Sequence, residues 1–401
     1  MADASPSPKV AVIGGGPAGL MAAEVMAAAG IAVTIFERMP SLGRKLLMAG
    51  LSGLNITHSE PLDKFRARYG PAADWMGRHL QHFSPETLRQ WCASLGQPTF
   101  VGSSGRVFPK AMKASPLLRA WLRRLEKMDV RVVLRAEWTG WDQMGALTFA
   151  NGARFSADAV VLALGGASWP RLGADGSWCS LLSGVSITVL RPANCGFVVD
   201  WSDTFRARFA GAPLKTIALS FGGRTVRGEA MITRAGIEGG AVYTLSAALR
   251  DTLAQEGRAR VVLDLRPDVS LRSLTERLER PRCGASLSNF LRKSVGLPAV
   301  AIGLVQEARH AGDDRPLASL IKALPLDLVE PFGLARAIST AGGIALAELD
   351  EGLMLIRRPG LFAAGEMLDW EAPTGGYLLQ GCMATGAAAG HGVVRWLRKS
   401  L

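Results

Sequence analysis

The chain has 401 residues, 48% of them hydrophobic and 20% charged, with a formal net charge of +12. That composition excludes a disordered or fibrous protein, and the length calls for two or three domains rather than one. No run of 18 uncharged apolar residues occurs, which excludes a membrane-spanning helix; the stretch Met1 to Lys9 lacks the basic and apolar regions of a targeting signal, so a cytoplasmic protein is expected.

In chain order the first element is the strand Lys9 to Ile13. It runs into Gly14-Gly15-Gly16-Pro17-Ala18-Gly19, a helix from Leu20 to Ala29, Gly30, a second strand from Ile31 to Phe36, and the acid Glu37. In a dinucleotide cradle the first glycine allows the tight turn, the second lets a pyrophosphate approach the backbone, and the third lets the helix lie against the strand. The phosphates sit on unpaired N–H groups at the helix N-terminus. The acid accepts ribose hydroxyls, and its charge suits a ribose without a 2′-phosphate. A glycine turn alone is a weak signal, but here all four parts fall where the cradle requires them. FAD and NAD remain equal candidates at this point.

Residues 61 to 128 read as helices. His79 and His82 stand at helical spacing beside Arg78 and Gln81, a solvated face rather than a pair of metal ligands. Ser115-Pro116 reads as the N-cap and first residue of a helix whose buried stripe is Leu117, Leu118, Trp121, Leu122, Leu125 and Met128. Arg119, Arg123, Arg124 and Lys127 are left on its outer face and, with Arg106, Lys110 and Lys113, form the densest basic group of the chain. Such a face serves solubility or draws a polyanion such as RNA by phosphate neutralisation. A strand over 130–134 follows, then a strand pair over 138–155 with its turn at Ala150-Asn151-Gly152. Next comes an apolar strand ending in Leu162-Ala163-Leu164-Gly165-Gly166.

From Arg191 the texture changes to short β-type segments: Gly196 to Val199, Ile217 to Phe221 and Val261 to Leu265. Between Ser270 and Leu324 the apolar spacing becomes helical. The nucleotide-domain pattern then returns. Gly360 to Asp369 reads as a strand running into Gly365 and Glu366, Pro373 to Gln380 as a glycine turn, and Gly381 to Leu397 as a helix of small residues. A carboxylate just after a strand can hold ribityl hydroxyls, and a second helix N-terminus can face the flavin edge where negative charge collects on reduction. Together with the N-terminal cradle, these features favour FAD.

Cys92, Cys179, Cys195, Cys283 and Cys382 are widely separated and form no CxxC pair, which argues against a cysteine zinc site and a redox dithiol. They read as buried, unreactive thiols. The five histidines are too scattered for a metal site, so no metal is expected.

Val10 to Arg38, Gly43 to Gly50, Leu162 to Gly166, Ser339 to Gly343 and Gly360 to Gly390 resemble the YhiN/BaiN-like family of bacterial FAD-binding flavoproteins, within the wider two-dinucleotide-binding-domain class. The block Ala364 to Asp369 followed by Thr374 to Gln380 is its most specific part. The resemblance implies an α/β fold: a Rossmann-like FAD-binding domain (1–190 and 336–401), an inserted β-barrel-like domain (191–265 and 323–335) and a small helical subdomain (266–322).

The same resemblance implies that Gly14, Gly16, Pro17, Ala18 and Gly19 take the pyrophosphate and that Glu37 and Arg38 lie at the adenosine ribose. Arg44 and Lys45 would stand beside the phosphates, the backbone around Trp138 near the adenine, and Ala163, Leu164 and Gly165 along the cofactor. Gly365 and Glu366 would hold the ribityl chain, with Asn55, Gly376, Tyr377 and Leu378 near the isoalloxazine. One departure stands out. Much of the family has Gly-Gly-Gly-Arg-Cys-Asn where this chain has Gly50-Leu51-Ser52-Gly53-Leu54-Asn55, so the arginine and cysteine positions hold Gly53 and Leu54.

Relatives in the family reduce unsaturated bonds, among them a uracil of ribosomal RNA and steroid-like bile acids, and oxidise amines. The leading expectation is an FAD-dependent reductase passing hydride to an activated C=C bond, with ribosomal RNA uracil favoured by the basic charge. No second GxGxxG follows a strand, so NAD(P)H is expected as a transient donor. An amine-type oxidase using oxygen and a flavin-containing RNA-binding factor with vestigial redox activity stand as alternatives. Catalytic side chains are unassigned; Asn55, Thr374 and Tyr377 are candidates through proximity to the flavin alone, and turn or packing roles suit them equally.

Overall fold

The computed structural model describes residues 8–51, 53–282 and 284–400. Met1 to Ser7, Ser52, Cys283 and Leu401 lie outside the described residues, and with them the expectations made for the N-terminal stretch and for the Cys283 thiol. The chain divides into two compact units, residues 1–191 with 339–401, and residues 192–338.

The first unit is built on β-branched segments that alternate with helices, the pattern of a parallel sheet. Its elements include β1 (Lys9–Ile13), α1 (Pro17–Ala28), β2 (Ala32–Glu37), α2 (Arg44–Ala49), α3 (Ala73–His82), α4 (Ala114–Lys127), β3 (Arg131–Leu134), β4 (Ala159–Leu162), β5 (Leu361–Ala363) and α5 (Tyr377–Ser400). The sheet order is β5-β4-β1-β2-β3, with every pairing parallel. β1 lies at the centre with Val10, Ala11 and Val12 fully buried, as a strand covered on both faces must be. The small residues of α5 allow close helix packing: a Cβ at Gly386 would stand 2.3 Å from the Ala18 carbonyl oxygen of α1.

Several local expectations are corrected. Residues 61 to 128 are not all helical, because Arg106–Pro109 pairs with Thr99–Val101 on one side and with Thr57–His58 on the other. Strands this short carry too little alternation to show against a helical background. The region 138–155 holds three strands rather than two, Trp138–Trp141, Leu147–Phe149 and Arg154–Phe155. Helix α4 begins at Ala114 with Lys113 in the extended N-cap conformation, so Ser115 lies inside the helix and is not its cap. Arg124 does not stand out from α4: it pairs with Glu24 of α1 at 2.9 Å. α5 begins at Tyr377, four residues before the expected start, which puts Tyr377 and Leu378 in its first turn.

The second unit carries a six-stranded antiparallel sheet in the order 197–198, 236–238, 224–232, 213–221, 259–264, 324–328. The chain that runs on from Leu328 bonds back to the first strand. Val198 N donates to Glu330 O (2.8 Å) and Phe332 N to Gly196 O (2.8 Å), closing the sheet into a small barrel. Helices between Leu271 and Lys322 bury Leu274, Leu291 and Val305 in the same apolar core as Leu219 and Leu263 of the sheet.

Candidate functional site

A cleft opens at the C-terminal ends of β1, β2, β4 and β5, where an open parallel sheet offers its ligand site. It begins at the glycine turn. Gly14 sits at φ +110°, and a Cβ there would meet the Ala163 carbonyl oxygen at 2.2 Å. Gly19 is equally constrained, since its Cβ would fall 2.0 Å from the Gly14 oxygen. Around Gly16 nothing stands within 4 Å of a Cβ position, so this residue opens onto space. Gly16 also caps α1 in an extended conformation with Pro17 at the first helical position, leaving the N–H groups of the first turn at the cleft without carbonyl partners of their own helix.

Glu37, at the end of β2, is fixed by two backbone donors. Gly15 N donates to Oε2 and Met39 N to Oε1, each at 2.8 Å. Glu37 lines the cleft together with Arg38, Trp138 and Gly165. Arg38 is tied to Asp175 at 2.8 Å, and Trp178 Nε1 donates to the Gly165 carbonyl at 2.9 Å. Two buried donors of the wall have no hydrogen-bond partner among the described residues, Arg44 Nε and Trp138 Nε1. Buried polar atoms of this kind call for a partner.

The far end of the chain completes the cleft. Glu366, buried just after β5, accepts from Lys45 Nζ at 2.7 Å and from Thr340 N at 3.0 Å; Lys45 also donates to Ser168 Oγ at 2.6 Å. Gly365 N is held by Thr385 Oγ1 at 3.0 Å.

Of the residues expected from sequence, Gly14, Gly16, Pro17, Ala18, Glu37, Arg38, Arg44 and Lys45 line the cleft, as do Trp138, Ala163, Leu164, Gly165, Gly365 and Glu366. Gly19 lies behind it as a packing residue. Ser41, Glu137 and Asp175 also line it and were not singled out; each stands in a loop whose sequence carries no cradle signal. Cys382 joins the wall too, its thiol pushed well up by burial, and burial raises Cys92 to about 12. Among the described residues no group of three His, Cys, Asp or Glu is placed to hold a metal, and no helix is long and apolar enough to cross a membrane.

Asn55, Gly376, Tyr377 and Leu378 stand outside this wall. Three of them gather at the start of α5. A Cβ on Gly376 would fall 2.5 Å from Thr57 N, and Asn55 Nδ2 bonds the Thr57 and Val107 carbonyls at 2.8 and 3.0 Å. The Tyr377 phenol donates to Glu60 at 2.6 Å, while Arg68 forks onto the same carboxylate at 2.9 and 2.7 Å. The Arg68 hydrogen bonds hold the Glu60 carboxyl below its ordinary range, and burial together with Glu60 raises Tyr377. The departure at residues 53 and 54 has a structural basis. Gly53 is at φ +119° with Met112 Cε 2.8 Å from a Cβ position, and Leu54 is buried with its N–H on the Met112 carbonyl. A φ of +119° strains any side chain placed at 53, and residue 54 is core.

The model of the HI0933-like protein Rossmann domain matches residues 8–392. A protein of Clostridium scindens named 3-dehydro-bile acid delta(4,6)-reductase is 28% identical over 409 residues, covering 96% of this chain and 98% of its own. The ribosomal RNA dihydrouridine synthase of Escherichia coli is 26% identical, covering 92% and 94%. In fold the chain is similar to the open conformation of a flavocytochrome c3 fumarate reductase, with TM-score 0.52 and 16% identity over 98% of this chain and 79% of the other. The open space over Gly16, the fixed Glu37 carboxylate and the two unpartnered donors suit a dinucleotide. The chain belongs to the HI0933-like family, the YhiN/BaiN-like group its motifs resemble, and is an FAD-dependent oxidoreductase.

Proposed function

We propose that the protein is a reductase that saturates a C=C bond activated by a neighbouring carbonyl, with uracil in ribosomal RNA as its substrate and NAD(P)H as transient donor, acting in the cytoplasm. One observation carries the reading: the N-terminal cradle and the C-terminal Gly365-Glu366 meet in a single cleft, joined by the Lys45–Glu366 pair. When bound there, FAD supplies hydride-transfer chemistry. Gly14 to Ala18 would hold its pyrophosphate, Glu37 its adenosine ribose, Glu366 its ribityl hydroxyls, and Arg44 and Lys45 its phosphate charge. The first turn of α5 would face the isoalloxazine, with Tyr377 kept as a neutral phenol by burial and by its bond to Glu60.

The names of the two relatives support the reaction class, since a delta(4,6)-reductase and a dihydrouridine synthase both saturate a C=C bond. The net charge of +12 favours the polyanionic substrate of the two. A steroid-like enone is the second reading, supported by the 28% identity to the bile acid reductase over 96% of the chain.

The test has two stages. Anaerobic NADH or NADPH is expected to bleach the visible flavin band of the purified protein; a flavin that neither donor bleaches sinks the reductase reading. Ribosomal RNA from a deletion strain is expected to lose dihydrouridine that the wild-type gene restores. Unchanged dihydrouridine together with turnover of a steroid enone transfers the assignment to the second reading.

A further inference from the structure

A second cavity lies in the first unit, away from the cofactor cleft. Its volume is about 960 Å³, and it is walled by α3, the last turns of α5 and the loop 346–354. Its contact with α5 is at Gly392, Arg395, Trp396 and Lys399, whereas the cofactor cleft touches the same helix at Cys382. At the rise of an α-helix, Arg395 is about 20 Å along the axis from Cys382.

Three features of the wall belong together. Arg78, Arg395 and Lys399 all line it and have no ion-pair partner among the described residues. Two acids, Asp350 and Glu351, share the wall, but Asp350 Oδ1 is occupied by the N–H groups of Gly352 and Met354 at 2.8 and 2.9 Å. Two indoles, Trp75 and Trp396, present flat apolar surface. His79, also on the wall, is 94% buried and packed edge-on to Trp75 with ring centroids 4.3 Å apart, and its Nε2 makes no hydrogen bond among the described residues.

His79 corrects the expectation of a solvated histidine. Burial, reinforced by Arg78 and His82, lowers its pKa to about 4, so the ring is neutral at pH 7. A neutral imidazole can pair with a hydroxyl or a ring N–H, and cations without partners around a concave wall attract an anion. Arginine forks bind phosphate in a planar, two-point geometry, and indoles stack on bases.

We propose that this cavity is a second binding site, for a phosphate carried on a flat heteroaromatic body, that is, a nucleotide. Arg78, Arg395 and Lys399 bind the phosphate, and Trp75 and Trp396 flank the base. The proposal is independent of the substrate assigned to the cofactor cleft. The nucleotide is either free or part of an RNA strand, and the two sources differ in how affinity grows with chain length.

Titration calorimetry on the full-length, FAD-loaded protein tests this with uridine monophosphate, a short oligouridylate and inorganic phosphate. Saturable binding of the monophosphate is expected, stronger than that of inorganic phosphate. It should weaken about tenfold in an Arg78→Gln, Arg395→Gln double variant, since each substitution removes a charge-assisted hydrogen bond. Both arginines are exposed, so the flavin spectrum and thermal midpoint of the double variant should match the wild type. An oligouridylate that binds much more tightly than the monophosphate assigns the site to an RNA strand; equal or weaker binding assigns it to a free nucleotide. Absence of saturable binding by both nucleotide probes, or binding that the double variant leaves unchanged, overturns the proposal.

Discussion

Lys45, one residue into α2, donates to Glu366 at 2.7 Å across 321 positions of sequence. Glu366 is 6% exposed and also accepts from Thr340 N, so three separate stretches of chain converge on one carboxylate. Glu366→Gln keeps the shape but removes the charge that Lys45 faces. Affinity for FAD is expected to fall about tenfold or more, the scale of losing a charge-assisted hydrogen bond. Fluorescence titration of the apoprotein with FAD measures this; an unchanged affinity would remove Glu366 from the cofactor site.

The glycines of the cradle separate folding from binding. Gly14→Ala puts a Cβ 2.2 Å from a carbonyl oxygen at positive φ and should destabilise the protein by about 2 kcal/mol or more. Gly16→Ala meets no protein atom within 4 Å and should leave the apoprotein's urea midpoint unchanged while weakening FAD. A large drop in apoprotein stability for Gly16→Ala would contradict the open space assigned to it.

Glu60 gives a stability change with a defined sign. Its carboxyl is held below its ordinary value of 4.5 by the Arg68 hydrogen bonds, so its contribution is present above pH 4.5 and is lost as pH falls through the lowered folded value. The stability gap between wild type and Glu60→Gln should therefore be wide at about pH 7 and close as the pH falls through the lowered folded value. Urea unfolding at several pH values checks it, and a gap independent of pH counts against the Glu60–Arg68 pairing.

His79 should titrate near 4 rather than at its ordinary 6.5. Between those values the unfolded chain takes up a proton that the folded protein refuses, so stability falls as pH drops from 6.5 toward 4. In an NMR titration the His79 ring signal should stay flat down to about pH 5; a midpoint above 6 would mean that the ring is solvated.

Much of the fold was readable because its signals are local. The β1 to β2 run carries its own periodicity, turn glycines and terminal acid, and each must be what it is for steric or electrostatic reasons acting within a few residues. The switch of texture near Arg191 marks the second unit for the same reason, since β-type alternation and helical spacing are properties of short windows. The hairpin over 99–109 escaped because its strands have three or four residues and its second strand gains its stability from pairing with Thr57–His58, a partner about 50 positions away.

The residue content of the cradle, the absence of a thiol pair and the basic charge were determined by the sequence alone. What only the tertiary structure decided is which distant groups meet. It placed Lys45 on Glu366, gave Arg124 to Glu24 instead of to solvent, buried His79, and tied Tyr377 to Glu60. A side chain's partner depends on the crossing of elements remote in sequence, and burial, charge pairing and titration all follow from that crossing.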